Sequence, residues 1–199
     1  ETAFGGAVND QWLYRVATGK TLSDGFIENT TLDTQDTNNI DESTSRLKLR
    51  YVAADDLTID FTVLHLDIDN GYDAFSLDEN RNTMSDEPGH DRQKTTAFAV
   101  NSYWEKSNRV SINTIVTSNR TDAEYGYDED WAFPAICAGQ KCDGWEYNSE
   151  DNYLRDRDNG ALDVKLVSKQ SALLLGKNTD WVIGIYSRKQ DEQLLRQYT

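Results

Sequence analysis

The chain has 199 residues, enough for one domain and in principle for two. It carries 35 acidic and 20 basic residues, a formal net charge of -15, which argues against nucleic acid and anionic membrane surfaces as partners. No run of about 18 apolar residues occurs, so the sequence predicts no transmembrane helix. Neither "ETAFGGAVND" at the start nor "LLRQYT" at the end resembles a natural terminus, and we expect a part of a longer protein.

Period-two alternation of apolar and polar residues runs through most of the chain and predicts β-strands. Val110 and Ile112 alternate with polar residues in one strand, and Leu162, Val164 and Leu166 do so in another. Each of these strands therefore has one apolar face. In chain order the predicted strands are 11–21, 42–53, 57–69, 94–104, 109–119, 161–169 and 181–190.

The connections between these strands alternate in length. Short links are predicted at 54–56, 105–108 and 170–180. Long links are predicted at 22–41, 70–93 and 120–160. All the long links then leave one rim of the sheet and all the short links the other, as in transmembrane barrels of the outer-membrane type. The sequence therefore predicts an all-β chain of antiparallel up-and-down strands that form part of a transmembrane β-barrel.

Charge, strand length and aromatic residues agree with this interpretation. The three long links hold 22 of the 35 acidic residues but only 6 of the 20 basic ones. The predicted strands are long enough for tilted strands of about 9–11 residues to cross a bilayer. Six aromatic residues lie near the short-link rim, where an interfacial girdle is expected. They are Trp12, Tyr14, Tyr51, Tyr103, Trp104 and Trp181.

A calcium site is one interpretation of the segment that begins at Asp67. Asp67, Asp69 and Asp73 supply oxygen ligands at alternate positions around Gly71, although the downstream bidentate Glu of an EF-hand is missing. The alternative is an acidic, solvated loop with turns at Asn70-Gly71 and Pro88-Gly89. No metal or other cofactor is predicted beyond this candidate.

Acid–base chemistry is a second interpretation of the acidic segments. The pairs Asp86/Glu87 and Asp128/Asp130 could serve a glycosidase, but such pairs are expected by chance in a chain with 35 acidic residues. The sequence contains neither a nucleophile elbow nor a glycine-rich phosphate loop. We therefore expect a protein that is not an enzyme.

The long links also hold residues that could contact a ligand. Aromatic residues cluster in the link 120–160, where they either pack against one another or stack on a sugar ring or an aromatic siderophore. The candidate ligand-binding residues of the loops are Tyr72, Asp73, Arg81, His90, Tyr127, Trp131 and Trp145.

The two cysteines, Cys137 and Cys142, lie five positions apart in the same link. Two cysteines are too few for a structural zinc site. We therefore predict a short disulfide, which would imply an oxidising compartment.

Several stretches resemble the barrel of TonB-dependent outer-membrane receptors. The features that carry the resemblance are Ser23-Asp24-Gly25-Phe26 with Asn29, Arg46-Leu47-Lys48-Leu49-Arg50, Asp55-Asp56-Leu57, Asn70-Gly71-Tyr72-Asp73-Ala74-Phe75 and Ser85-Asp86-Glu87-Pro88-Gly89. The resemblance covers most of the chain to about residue 120 and the rest more loosely.

The resemblance implies that residues 1–199 are one part of a 22-stranded barrel with a plugged lumen, without the plug domain. The implied function is uptake of a scarce nutrient such as a ferric siderophore, haem, cobalamin or an oligosaccharide. The implied location is the bacterial outer membrane, and the implied partners are the small nutrient at the extracellular loops, outer-membrane lipid and, through the plug, TonB. A soluble secreted all-β carbohydrate-binding module and a secreted hydrolase are the alternatives.

Overall fold

The structure is a computed structural model that describes residues 1–73, 75–76, 79–131, 148–169, 172–174 and 177–199. These residues form β-strands and loops. None of the described residues belongs to a helix long and apolar enough to cross a membrane. The strands are β1 (Thr2–Ala7), β2 (Trp12–Ser23), β3 (Glu28–Asn29), β4 (Ile40–Ala54), β5 (Leu57–Tyr72), β6 (Asn82–Thr83), β7 (Gly89–Trp104), β8 (Val110–Asp128), β9 (Glu150–Ser168), β10 (Ala172–Leu174), β11 (Lys177–Thr179) and β12 (Val182–Tyr198).

Eight of these strands form one antiparallel sheet in the order β1-β2-β4-β5-β7-β8-β9-β12. The predicted all-β, up-and-down antiparallel arrangement is confirmed. The prediction of seven strands missed β1, because "TAFGGA" is short and contains Gly5 and Gly6 instead of an apolar alternation. β1 and β12 are the two edges of the sheet within the described part of the chain.

The alternation of long and short connections is also confirmed. The long connections are 24–39, 73–88 and 129–149, and we refer to them as the first, second and third long loops. They all leave the same rim of the sheet. The connections 8–11, 55–56 and 105–109, together with the segment that carries the β10–β11 hairpin, lie at the opposite rim.

The strands extend further toward the long-loop rim than the sequence predicts. The predicted link 120–160 contracts to 129–149, because β8 and β9 remain paired through Thr121↔Arg157 and Ala123↔Arg155. The two other long links contract in the same way. Charged residues interrupt the apolar alternation there, but backbone pairing does not require apolar side chains, since one face of an antiparallel strand can be solvated.

One face of the sheet carries an apolar band beside the short-turn rim. Rows of apolar residues run across neighbouring strands of this face, and Val110 and Ile112 share it with Leu162, Val164 and Leu166, as predicted. One row consists of Tyr14, Leu49, Phe61, Val100, Val116 and Leu162. On β5 the band runs from Leu57 to Val63, about 20 Å along the strand.

Aromatic residues border this band at the short-turn rim. The rings of Trp12 and Tyr51 stack with centroids 4.5 Å apart. The indole N–H of Trp104 donates to Asp56 at 3.1 Å. All six predicted aromatic residues lie near the short-turn rim, as predicted. Tyr103 points to the other face of the sheet, since its pairing partners are Thr58 and Asn113.

Directly behind the apolar band, the opposite face of the sheet is polar. Arg50 forms a bidentate ion pair with Asp60 at 2.7 and 2.8 Å, and Asn159 donates to Asn119 at 3.0 Å. Among the described residues, Ile27 of the first long loop is the one buried apolar side chain. The described sheet thus has no apolar core of the kind that a soluble sandwich builds between two layers.

Candidate ligand site at the long-loop rim

The first and second long loops are joined by a buried polar cluster. Asn29 is fully buried, and its Nδ2 donates to Asp73 Oδ2 at 2.9 Å and to the Ser85 carbonyl at 2.8 Å. The Thr83 hydroxyl donates to the same Asp73 oxygen at 2.7 Å. Beside them, β3 and β6 pair as a parallel ladder. Asp73 therefore fixes the two loops against each other.

Gly71 allows the first long loop to approach the end of β5. Its amide donates to the Asn39 carbonyl at 3.0 Å. A Cβ at this position would lie 2.3 Å from the Thr37 carbonyl oxygen, which no side chain could tolerate. The Asn70-Gly71 pair, predicted as a turn, instead continues β5 and packs against a loop.

The carboxylates of Asp128 and Asp130 hold the two ends of the third long loop together. We call this point the neck of the third loop. Asp128 Oδ1 accepts hydrogen bonds from the amides of Asp130 and Trp131 at 3.1 and 3.0 Å. Asp130 Oδ2 accepts from the Ser149 amide at 3.1 Å, which joins the two ends of the loop. Trp131 has φ 61°, an uncommon left-handed conformation for a residue with a side chain. This backbone turn is part of what places its indole.

An aromatic cluster lies on the polar face beside this neck. The rings of Phe75 and Trp131 stack with centroids 4.7 Å apart and planes 6° apart. The ring centroids of Tyr125 and Tyr72 are 5.0 Å apart. Burial, followed by the neighbouring Tyr72 hydroxyl, raises the pKa of Tyr125, so it remains a neutral phenol. The cluster consists of Tyr72, Phe75, Tyr125, Tyr127, Trp131 and Tyr153.

Most of this cluster lines a cavity of about 750 Å³, a volume in the range of small-molecule sites. Arg155, Asp91 and Glu129 add charged groups to its wall, whereas Glu124 borders the cavity but directs its carboxylate to the other face, toward His90. Flat apolar rings and a few charged groups therefore face the same space. This arrangement suits a ligand that has both a planar surface and polar groups.

An ion pair between a buried carboxylate and an exposed arginine holds two of the tyrosines in place. Asp151 is fully buried and accepts two hydrogen bonds from Arg196 at 2.8 and 2.7 Å. It also accepts from the hydroxyls of Tyr153 and Tyr127 at 2.9 and 3.3 Å. The hydrogen bonds from Arg196 lower the pKa of Asp151. The carboxylate therefore stays charged and orients both phenols.

The structure brings together three of the predicted ligand residues, Tyr72, Tyr127 and Trp131. Asp73 is buried in the loop cluster instead. The Arg81 guanidinium lies 5.7 Å from the Phe26 ring, outside the aromatic cluster.

His90 lies on the apolar-band face of the sheet, with Nε2 3.0 Å from Glu124 Oε1. Trp145 lies outside the described residues, as do Cys137 and Cys142. Tyr153, Asp151 and Arg196 also contribute to the site, although the sequence did not predict them there. Cross-strand pairing of β9 with β8 and β12 places them there, and that register could not be predicted.

The three aspartates considered as calcium ligands from their spacing in the sequence do not converge in the structure. Asp67 and Asp69 lie on the apolar-band face, 3.8 Å from Lys94 Nζ and 2.7 Å from Arg92 Nε. Asp73 lies beyond the strand end in the buried loop cluster. No three His, Cys, Asp or Glu side chains of the described residues are arranged to hold a metal.

The two carboxylate pairs noted in the sequence lie close together. Burial, followed by the charges of Asp130 and Asp86, raises the pKa of Asp128 to about 6. Burial also raises the pKa of Asp86 and Glu87. Only 6% of the Asp128 surface is exposed, and the residue does not line the aromatic cavity. This geometry does not suit attack on a glycosidic bond, which requires both carboxyl groups to reach the substrate.

The fold defines an antiparallel sheet similar to an arc of a β-barrel. The chain matches the crystal structure of the ferric yersiniabactin uptake receptor FyuA from Yersinia pestis with a TM-score of 0.76 and 14% sequence identity. The match covers 99% of this chain and 29% of the FyuA chain. No family model matches the sequence. No curated protein matches it either.

Proposed function

We propose that the chain is part of the transmembrane barrel of a TonB-dependent outer-membrane receptor that takes up a scarce nutrient. The observation that carries the proposal is the contrast between the two faces of one sheet. An apolar band covers the short-turn half of one face, and the face behind it is polar. A band that faces lipid and a face that lines a lumen explain this contrast. The likeness to FyuA, a ferric siderophore uptake receptor, supports it.

We further propose that the aromatic cavity contacts the captured nutrient. In a receptor the polar face and the long-loop rim would be open to the outside, where a ligand arrives first. The stacked pair Phe75–Trp131 and the fixed phenols of Tyr127 and Tyr153 offer flat surfaces for the rings of a ferric siderophore, haem or a sugar. Arg155, whose Nε lies 3.2 Å from Glu192 Oε1, has further N–H groups that could donate to a carboxylate or catecholate group.

The soluble binding module is the second candidate, and it makes a different prediction for the isolated chain. A soluble module would bury the apolar band in its own core, whereas a barrel segment needs lipid, detergent or the remaining strands to cover it. The residues at the centre of the band are partly exposed in the described structure, with Val116 at 44% and Leu162 at 40%. The exposed band therefore favours the barrel. The proposed role is binding and transport, not hydrolysis.

Uptake by cells tests the proposed function. Cells that express the complete protein should accumulate a labelled ferric siderophore, haem, cobalamin or oligosaccharide, and accumulation should stop when TonB is deleted. Uptake that persists without TonB would contradict the receptor assignment. For the nutrient that is taken up, Trp131→Ala should weaken binding by about tenfold, the loss expected for one stacked ring of about 1–1.5 kcal/mol. Trp12→Ala, at the opposite rim, is the matched control and should bind normally.

A further inference from the structure

A patch of positive charge lies on the polar face of the sheet, directly behind the apolar band. Arg15 of β2 and Lys48 of β4 are direct cross-strand partners, and Arg46 lies two residues before Lys48 on the same face. All three side chains are exposed. We call Arg15, Arg46 and Lys48 the basic patch. Its charge is opposite to that of the chain as a whole, which has a net charge of -15.

The basic patch has almost no acidic neighbours in the sheet. The cross-strand partners of Arg46, and the partner of Arg15 on β1, are uncharged. Asp60 lies diagonally from Lys48, but both of its carboxylate oxygens accept hydrogen bonds from Arg50 at 2.7 and 2.8 Å. No carboxylate in the described part of the chain forms an ion pair with the basic patch.

This arrangement of like charges favours the binding of an anion. Side chains that are direct cross-strand partners have Cβ atoms about 4.5–5.5 Å apart, and like charges at such positions destabilise a sheet. An anion between Arg15 and Lys48 would replace this repulsion by attraction. The planar guanidinium groups of Arg15 and Arg46 are suited to bidentate hydrogen bonds with acidic oxygens.

We propose that the basic patch binds an anionic nutrient on its way through the barrel, and that the transported nutrient is therefore an anion. A ferric catecholate siderophore or haem meets this requirement, whereas cobalamin, which is neutral overall, and an uncharged oligosaccharide do not. The inference rests on the proposed function. A nutrient captured at the aromatic cavity has to pass along the polar face to reach the short-turn rim, and the basic patch lies on that face at the level of the apolar band.

Nutrient uptake by cells that express the complete protein tests the proposal. The wild type should accumulate a labelled ferric catecholate or haem in a TonB-dependent manner. The double variant Arg15→Gln, Arg46→Gln should lower the initial rate of uptake at least about tenfold, because hydrogen bonds between charged groups are strong. The double variant Arg15→Lys, Arg46→Lys keeps both charges and should retain most of the rate.

The matched control for the loss of a cation is Arg120→Gln. Arg120 lies on the apolar-band face, where it faces Asp122 at 3.6 Å, and its loss should leave uptake unchanged. An unchanged rate in the Arg15→Gln, Arg46→Gln variant would overturn the proposal. TonB-dependent uptake of cobalamin or an uncharged oligosaccharide alone would also overturn it, but the receptor assignment would then stand.

Thermal unfolding of the complete protein, purified in detergent, shows whether the basic patch is free to bind an anion. In chloride the Arg15→Gln, Arg46→Gln variant should unfold at the wild-type temperature or above it, because it loses like-charge repulsion. A lower unfolding temperature would mean that acidic groups elsewhere in the complete protein already pair with the patch, and it would overturn the proposal.

Inorganic phosphate then serves as the anionic probe, compared with chloride at the same ionic strength. Phosphate stabilises folded proteins in general, so the difference between the two proteins is the measure. Phosphate should raise the unfolding temperature of the wild type more than that of the Arg15→Gln, Arg46→Gln variant. Equal increases would overturn the proposal, and this comparison decides even if the cells accumulate none of the nutrients.

Discussion

Asn29 and Asp73 are 44 positions apart in the chain and meet at 2.9 Å through a side-chain hydrogen bond between two buried groups. Asn29 also accepts from the amides of Thr31 and Leu32 at 3.0 and 2.9 Å, so its side chain uses both donor and acceptor capacity. A single amide therefore shapes the turn of the first long loop and connects that loop to the second. No apolar residue of similar size could replace these bonds.

Asn29→Ala should loosen the first two long loops. Asp73 would keep its bond from Thr83 but lose the Asn29 donor, and a buried carboxylate that loses a donor costs about 1–3 kcal/mol. Local opening should therefore increase about 5- to 150-fold, measured as the rate of hydrogen exchange of residues 28–32 and 82–85. The exposed neighbour Asn82 provides the control, and Asn82→Ala should exchange at nearly the wild-type rate. Equal rates in Asn29→Ala and the wild type would contradict a connecting role for Asn29.

The faces and rims of the sheet were predictable, because they follow from local features of the chain. The alternation of Val110 and Ile112 with polar neighbours shows a strand with two different faces, and it needs no knowledge of the partner strands. The lengths of the connections then place the long loops on one rim. The extension of β8 to Asp128 was not predictable from this pattern, because pairing with β9 maintains the strand where both faces become polar.

The candidate site was less predictable, since its contacts depend on register and on loop packing. Asp151 and Arg196 are 45 positions apart and meet only because β9 and β12 pair in one particular register. The acidic pairs Asp86/Glu87 and Asp128/Asp130 are visible in the sequence. Their proximity in the structure could not be predicted, because it requires the second loop to fold onto the neck of the third.

The pKa of Asp128, raised to about 6, predicts a pH-dependent stability. A carboxyl whose pKa is higher in the folded state than the ordinary value of about 3.9 binds more protons when folded. Its stabilising contribution is complete below about pH 4 and is lost as the pH rises through about 6. The unfolding temperature of the wild type should therefore fall more steeply between pH 4.5 and 7.5 than that of Asp128→Asn. Parallel curves for the two proteins would contradict the raised pKa.

The predicted disulfide between Cys137 and Cys142 remains a prediction, since both residues lie outside the described part of the chain. Protein from the cell envelope, alkylated without reductant, should show neither cysteine modified by mass spectrometry. The bond would close a loop of only a few residues. The free energy of unfolding of the Cys137→Ser, Cys142→Ser double variant should therefore be within about 2–3 kcal/mol of the wild-type value. Two alkylated thiols in the wild type would refute the bond.

Single-cysteine labelling of whole cells tests the orientation of the sheet in the membrane. The background is the complete protein with Cys137→Ser and Cys142→Ser, so that only the introduced thiol reacts. Ser76 lies in the second long loop, and Ser107 lies in the short connection between β7 and β8. Short turns of outer-membrane barrels face the periplasm and long loops face the outside. A membrane-impermeant maleimide should therefore label Ser76→Cys in intact cells.

The matching expectation is that Ser107→Cys reacts only after the outer membrane is permeabilised. Both side chains must be reachable once the membrane is open, so labelling of lysed cells serves as the control for thiol accessibility. Labelling of Ser107→Cys but not of Ser76→Cys in intact cells would reverse the proposed orientation. Equal labelling of both variants in intact cells would contradict a membrane between the two rims. The apolar band with Phe61, Val100 and Val116 would then need a protein partner to cover it.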